Sequence, residues 1–196
     1  MKRLTAIATA IVFGTGAVSP VFGQDGTNDD LAGGSEPRLE NGAGDASVEV
    51  AASLREAVRR IDPTAEFSQS GATFRVNMVP ITLIYDINVD RMRLLAPVRP
   101  LDEIEPEIMI RMMQANFESA LDARYAVAQG IVWSTFVHPL SSLTPDEFGS
   151  GLGQTVNLVT TFGSAYTSGA IIFGGGDGVT QERELIDELQ EKSSDI

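Results

Sequence analysis

Apolar residues between positions 47 and 173 recur at two periods, and the switches between them lay out the elements. Val48, Ala51, Leu54, Val58 and Ile61 fall at three- and four-residue steps, one stripe of a helix that Ser47 can cap and Asp62-Pro63 ends. A weak strand over residues 73–78 alternates Phe74, Val76 and Met78. Pro80 interrupts before a stronger strand marked by Ile81, Leu83, Tyr85 and Ile87. The polar corner Asn88-Val89-Asp90 suits a hairpin turn. The return strand places Met92, Leu94, Ala96 and Val98 on one face and Arg91, Arg93 and Arg99 on the other. Pro97 and Pro100 should end it, because neither can donate to a ladder.

A second helix opens at Glu105-Pro106, with proline at its first position. Ile108, Met109, Met112, Met113, Asn116, Phe117 and Ala120 lie on or beside its buried face. Strands over 123–129 and 131–138 come next, hinged at Gly130. The last helix has the clearest start in the chain. Thr144 is its N-cap, Pro145 stands at N1, Glu147 completes a capping box, and Leu143 and Phe148 hold the staple positions. Phe148, Leu152, Val156, Val159, Phe162 and Tyr166 then form its apolar stripe. The order α-β-β-β-α-β-β-α predicts an α+β domain, an antiparallel sheet with helices packed on it.

The flanks read differently. Residues 1–23 have the layout of a secretory signal peptide: Lys2 and Arg3, an apolar run from Leu4 to Phe13, then Val21 and Gly23 at the −3 and −1 positions before Gln24. The apolar run, broken by Gly14 and Gly16, falls short of the roughly 20 residues a membrane span needs. Cleavage between Gly23 and Gln24 and a periplasmic or secreted location are therefore expected, without stable membrane insertion afterwards. Residues 24–46, rich in Gly, Asp and Asn without an apolar period, read as a disordered acidic linker. Residues 174–196 read as a Gly-rich hinge and an acidic tail. Within that tail Leu185, Ile186 and Leu189 would share one side of a short helix, or the tail is mobile.

Composition narrows the function. The absence of cysteine excludes disulfides, thiolate metal sites, cysteine nucleophiles and lipid attachment at a lipobox thiol. The net charge is −13, with acidic flanks around a milder core, which argues against nucleic acid or anionic lipid as a partner.

Three stretches resemble the type III secretion chaperone-like superfamily, which includes Tir-type chaperones and YbjN-type sensory regulators. They are Thr82-Leu83-Ile84-Tyr85-Asp86 with Met92-Arg93-Leu94-Leu95-Ala96, Met112-Met113-Gln114-Ala115-Asn116-Phe117, and Val137-His138-Pro139-Leu140 with Leu143-Thr144-Pro145-Asp146-Glu147-Phe148. The resemblance spans roughly residues 47–170. It implies a small α+β fold, usually dimeric, that binds polypeptide through exposed apolar surface and has no catalytic machinery. Chaperones of this kind hold clients in the cytosol, so an exported chain would keep the fold and not that job.

Few residues invite chemistry. His138, the only histidine, precedes a proline at a strand end with no Ser/Asp pair beside it, and reads as structural. Asp102, Glu103, Glu105 and Glu107 suit the positive end of a helix dipole better than a metal site. Asp177 among glycines lacks a Walker lysine after it. No metal or cofactor is expected, and no enzyme.

Met109, Met112, Met113 and Phe117 are the candidate partner or dimer interface, with core packing as the competing reading. Asn116 should bond backbone inside the fold. The row of Arg91, Arg93 and Arg99 blunts a sheet edge or meets an acidic partner. Gly149, Gly151, Gly153, Gly163 and Gly169 each cost a helix interior about 1 kcal/mol, so the last helix frays or packs closely on the sheet or on a second subunit. The expected function is an exported, non-enzymatic, chaperone-like domain that binds a polypeptide client as a homodimer. The alternative is a YbjN-type sensory or envelope-stress regulator that acts on a regulatory partner by protein contact.

Overall fold

The computed structural model describes residues 42–169 and 180–194. The signal peptide with its Gly23 and Gln24 junction, the linker up to residue 41 and the glycine run at 174–178 lie outside the described residues. The elements are α1 (Gly42–Ile61), β1 (Glu66–Ser68), β2 (Gly71–Val76), β3 (Val79–Asp86), β4 (Arg91–Pro100), a 3₁₀ turn (Leu101–Glu103), α2 (Pro106–Glu118), β5 (Arg124–Ala128), β6 (Ile131–His138), α3 (Pro145–Thr160) and α4 (Thr180–Ser194). The strands form one antiparallel sheet in the order β1-β2-β3-β4-β6-β5. It is the expected α+β fold, with β1 added and with the helical alternative for the tail realised as α4.

α1 starts before Ser47, not at it. Ser47 is fully buried inside the helix, and its hydroxyl donates to Asp90 Oδ1 at 3.1 Å instead of capping. Ala51, Leu54, Ala57 and Val58 face the core, while Val48 stands in solvent. The helix stops where the Asp62 carboxylate accepts from the Thr64 amide, the Thr64 hydroxyl and the Arg75 amide, which turns the chain toward β1. Three residues are too few to show a period in sequence. β1 is held by pairing with β2 and by Phe67, whose ring lies under the guanidinium groups of Arg55 and Arg59 at 4.8 and 4.7 Å.

Two strand boundaries also differ from expectation, each for a local reason. β2 ends at Val76, because Asn77 and Met78 both take positive φ (46° and 71°) and make the two-residue hairpin turn. Pro80 then lies within β3, beyond the last β3–β4 pair (Thr82 with Leu95), so only β2 borders it. β4 runs on through Pro97 to Pro100 because its register shifts between Pro97 and Arg99. That bulge adds a residue and reverses the alternation of side chains beyond it. Arg93 pairs with Val137, but Arg99 pairs with Val132, on the opposite face of the sheet. The expected row of three arginines is thereby split.

Residues directly opposite in a ladder share a face. Phe67, Ala72, Leu83, Leu94 and Phe136 form one row of the covered face, under α1 and α3. α3 has its expected cap: the Thr144 hydroxyl accepts from the Glu147 amide at 3.2 Å, and Glu147 accepts from the Thr144 amide at 2.8 Å. Nearly every residue from Phe148 to Leu158 is buried, polar ones included, because α3 lies between two layers. Beneath it, a Cβ on Gly151 would stand 2.6 Å from the Phe136 ring. Above it, Cβ atoms on Gly149 and Gly153 would meet α4 at Gln190 and Ile186, both at 2.6 Å. The glycines are explained by close packing on the sheet and on the chain's own last helix, whose Ile186 and Leu189 are buried there. Phe162 and Tyr166 lie past the end of α3 and close the core edge-on against Tyr125.

Asp90 joins three segments at the β3–β4 corner. It accepts from the Ser141 amide at 2.6 Å, the Ser141 hydroxyl at 2.8 Å and Ser47 on α1. The Ser141 amide, chiefly, holds its carboxyl below the usual aspartate range. A depressed folded value gives stability that is present at neutral pH and is lost as pH falls through that value. Asp90→Asn should therefore melt below the wild type at pH 7, and the gap should close below about pH 4. A gap that persists undiminished in acid would rule out the carboxylate as its source.

Candidate protein-interaction surface

α2 lies along the β5 edge of the sheet, and one asparagine sets its place. Asn116 Oδ1 accepts from the Tyr125 amide at 2.8 Å, and its Nδ2 donates to the Tyr125 carbonyl at 3.0 Å. The side-chain amide thus stands in for a neighbouring strand on an edge that would otherwise be unpaired. The expected backbone role of Asn116 is met. On the same side Met112 and Ala115 are fully buried, Met109 is half-buried against the core, and the Arg111 guanidinium covers the Tyr166 ring at 5.3 Å. Burial also raises the Tyr125 phenol above its usual pKa range while its hydroxyl donates to the Leu158 carbonyl.

The four candidate residues therefore divide. Met109 and Met112 face the core, whereas Met113 is 46% exposed and Phe117 is 92% exposed. Ile110, which the sequence pattern did not single out, is 60% exposed and completes the set. Ile110, Met113 and Phe117 stand at i, i+3 and i+7, one ridge on the outer side of a helix whose inner side is already filled. That spacing is present in the sequence, but Met109 and Met112 share a similar one. Period alone does not say which of two stripes is inside.

A second surface is hidden from sequence reasoning as well. The face of the sheet opposite the helices carries Ile84, Leu95, Pro97, Ile131 and Trp133 on β3, β4 and β6. None of them belongs to the core cluster or packs on it. Arg93 and Arg124 stand on the same face, in rows with Val137 and Thr135. Adjacent apolar residues in β3 (Leu83-Ile84) and β4 (Leu94-Leu95) are the signal for it.

His138 is on the covered face, stacked on Phe136 with ring centroids 6.0 Å apart. Its Nδ1 lies 2.7 Å from the Pro139 carbonyl oxygen, and its Nε2 lies 3.7 Å from Glu147 Oε1. They line a cleft of about 370 Å³ with Asp146, Ser150, Gln154 and Gln190. The Thr144 amide holds the Glu147 carboxyl below its usual range, and Ser150 accepts from Gln154. Asp102, Glu103, Glu105 and Glu107 are all exposed around the start of α2, and Glu105 makes no side-chain cap bond. Among the described residues no three metal-binding side chains converge, and no helix is long and apolar enough to cross a membrane.

No protein-family model matches the chain, and no curated protein matches it. Solved structures similar to it include the ExsC–ExsE complex, with a TM-score of 0.47 and 20% identity over 61% of this chain and 97% of that one. The HopA1–SchA chaperone–effector complex is similar with a TM-score of 0.44 and 10% identity, over 62% of this chain and 93% of that one.

Proposed function

We propose that this chain is an exported, non-enzymatic, chaperone-like domain that binds polypeptide and associates as a homodimer through α2. The observation that carries the reading is the ridge of Ile110, Met113 and Phe117, three large apolar side chains held in water on a helix already anchored from behind. Leaving a phenylalanine ring 92% exposed forgoes about 2 kcal/mol of burial, which a partner surface would recover. Asn116 and Met112 fix the ridge to the sheet, so little is lost in ordering it on association. A self-complementary patch of this kind suits a two-fold dimer, with α2 of each copy facing the other. Export rests on the basic and apolar layout of residues 1–23 and places the partner outside the cytosol.

One purification tests both parts. Protein expressed from the full sequence and recovered from the envelope fraction should begin at Gln24 and have twice the chain mass by light scattering. Met113→Asp should move the mass to that of a single chain with an unchanged circular dichroism spectrum. An unchanged mass in a folded variant would remove α2 from the interface, and an intact Met1 in the cytosolic fraction would remove export.

A further inference from the structure

We propose that the uncovered face of the sheet binds an acidic polypeptide segment that also carries apolar residues. The inference rests on the protein-binding reading above but uses a surface other than the α2 ridge. Its ground is the contrast between the two faces. On the covered face, alternate residues of β3, β4 and β6 sit under α1 and α3. On the other, Ile84, Leu95 and Trp133 sit inside a ladder of strands, are only partly screened by their neighbours, and lie outside the core. α1 and α3 lie over the covered face, α4 lies over α3, and α2 lies along the β5 edge. Among the described residues no helix lies over the opposite face.

Charge selects the occupant. The chain carries −13 overall, yet this face presents Arg93 and Arg124 beside its apolar centre, with Arg75 and Arg91 toward its ends. None of these four enters an ion pair among the described residues. Carboxylates on the same face lie at its margins: Asp86 opposite Arg91, and Glu66 opposite Thr73. A second copy docking by this face would set arginine against arginine, so like-charge repulsion disfavours it. Nucleic acid would meet the repulsion of the whole acidic molecule. An acidic segment with alternating leucines matches both the arginines and the strip between them, and desolvated arginine–carboxylate pairs would give it register.

Trp133, the only tryptophan, lies on this face and reports on it directly. The probe is a peptide alternating leucine with glutamate and serine, titrated into the full chain, with a lysine-for-glutamate counterpart beside it. The acidic peptide should shift Trp133 emission saturably, the basic one should not, and raising NaCl from about 0.05 to about 0.5 M should weaken binding. Arg93→Glu with Arg124→Glu should raise Kd at least about tenfold. Arg124 also donates to the Ala120 and Ala123 carbonyls, so Arg93→Glu alone, at a side chain without such bonds, repeats the test with the fold intact. Val48→Ser, at an exposed position of α1 that belongs to neither surface, should leave the response unchanged.

An absent Trp133 response, an equal response to the basic peptide, or tighter binding of oligothymidylate would each overturn the inference. So would a change of oligomeric mass in the arginine variants, which would make the face a contact between copies. A response lost in Met113→Asp but kept in the arginine variants would move polypeptide binding to α2, sinking this inference while the wider reading stands.

Discussion

Gly149→Val should lower the melting temperature by roughly 6–12 °C, the counterpart of about 3 kcal/mol in a chain of this size. In an ordinary helix interior, replacing glycine gains as much as about 1 kcal/mol, so the expected sign is the reverse of the rule. The reason is what the new carbon meets. A Cβ at position 149 would lie 2.6 Å from the Gln190 Cα, 2.7 Å from its backbone nitrogen and 2.9 Å from the Leu189 carbonyl carbon. All three are backbone, so no rotamer change relieves the overlap, and α4 must move as a body. Even Gly149→Ala should destabilise, by about 1–2 kcal/mol. Hydrogen exchange locates the effect: α4 amides should lose protection while those of β4 and β6 keep theirs. A variant that melts with the wild type would show that α4 does not occupy this seat in solution.

Gln154→Leu should cost about 2–3 kcal/mol and lower the urea midpoint by roughly 1 M. The side chains are close in volume, so little packing is lost; the effect comes from hydrogen bonds. Gln154 is 1% exposed, and its Oε1 accepts from the amides of Asp122 and Ala123 at 2.9 and 3.2 Å. Its Nε2 donates to the Asp122 carboxylate and to the Ser150 hydroxyl. One residue of α3 thereby holds the turn that leads into β5, and with it the approach to the edge where α2 sits. Leucine would leave the buried Ala123 amide with no partner, which is the expensive half of the exchange. A midpoint within about 0.3 M of the wild type would mean that water takes over the role of Gln154.

Much of the architecture is legible in the chain itself. The start of α3 is a local event, with Thr144, Pro145 and Glu147 close together and their bonds made within one turn. The β5–β6 hairpin is equally plain, since Gln129 and Gly130 take the positive φ that such a turn demands. β1 is not legible, because a strand of three residues has no period and exists only through its neighbour. The flip of Arg99 is hidden as well. A bulge is a mismatch between two strands, and neither strand alone records it.

The two surfaces divide in the same way. The sequence by itself determined that α2 would carry Met109, Met112, Met113 and Phe117 on or beside one apolar face, that Asn116 would bond backbone inside the fold, and that α3 would start at a Thr144 cap, while its glycines left fraying and close packing both open. Only the tertiary structure decided which stripe of α2 is buried, that α4 is what approaches Gly149 and Gly153, and which face of the sheet the helices leave open. The physical reason is that periodicity and composition report which side chains share a face, whereas burial depends on what a distant segment brings against that face. Met112 and Met113 are neighbours of one type in one helix, and the packing of Tyr125 and Tyr166 behind α2 separates them.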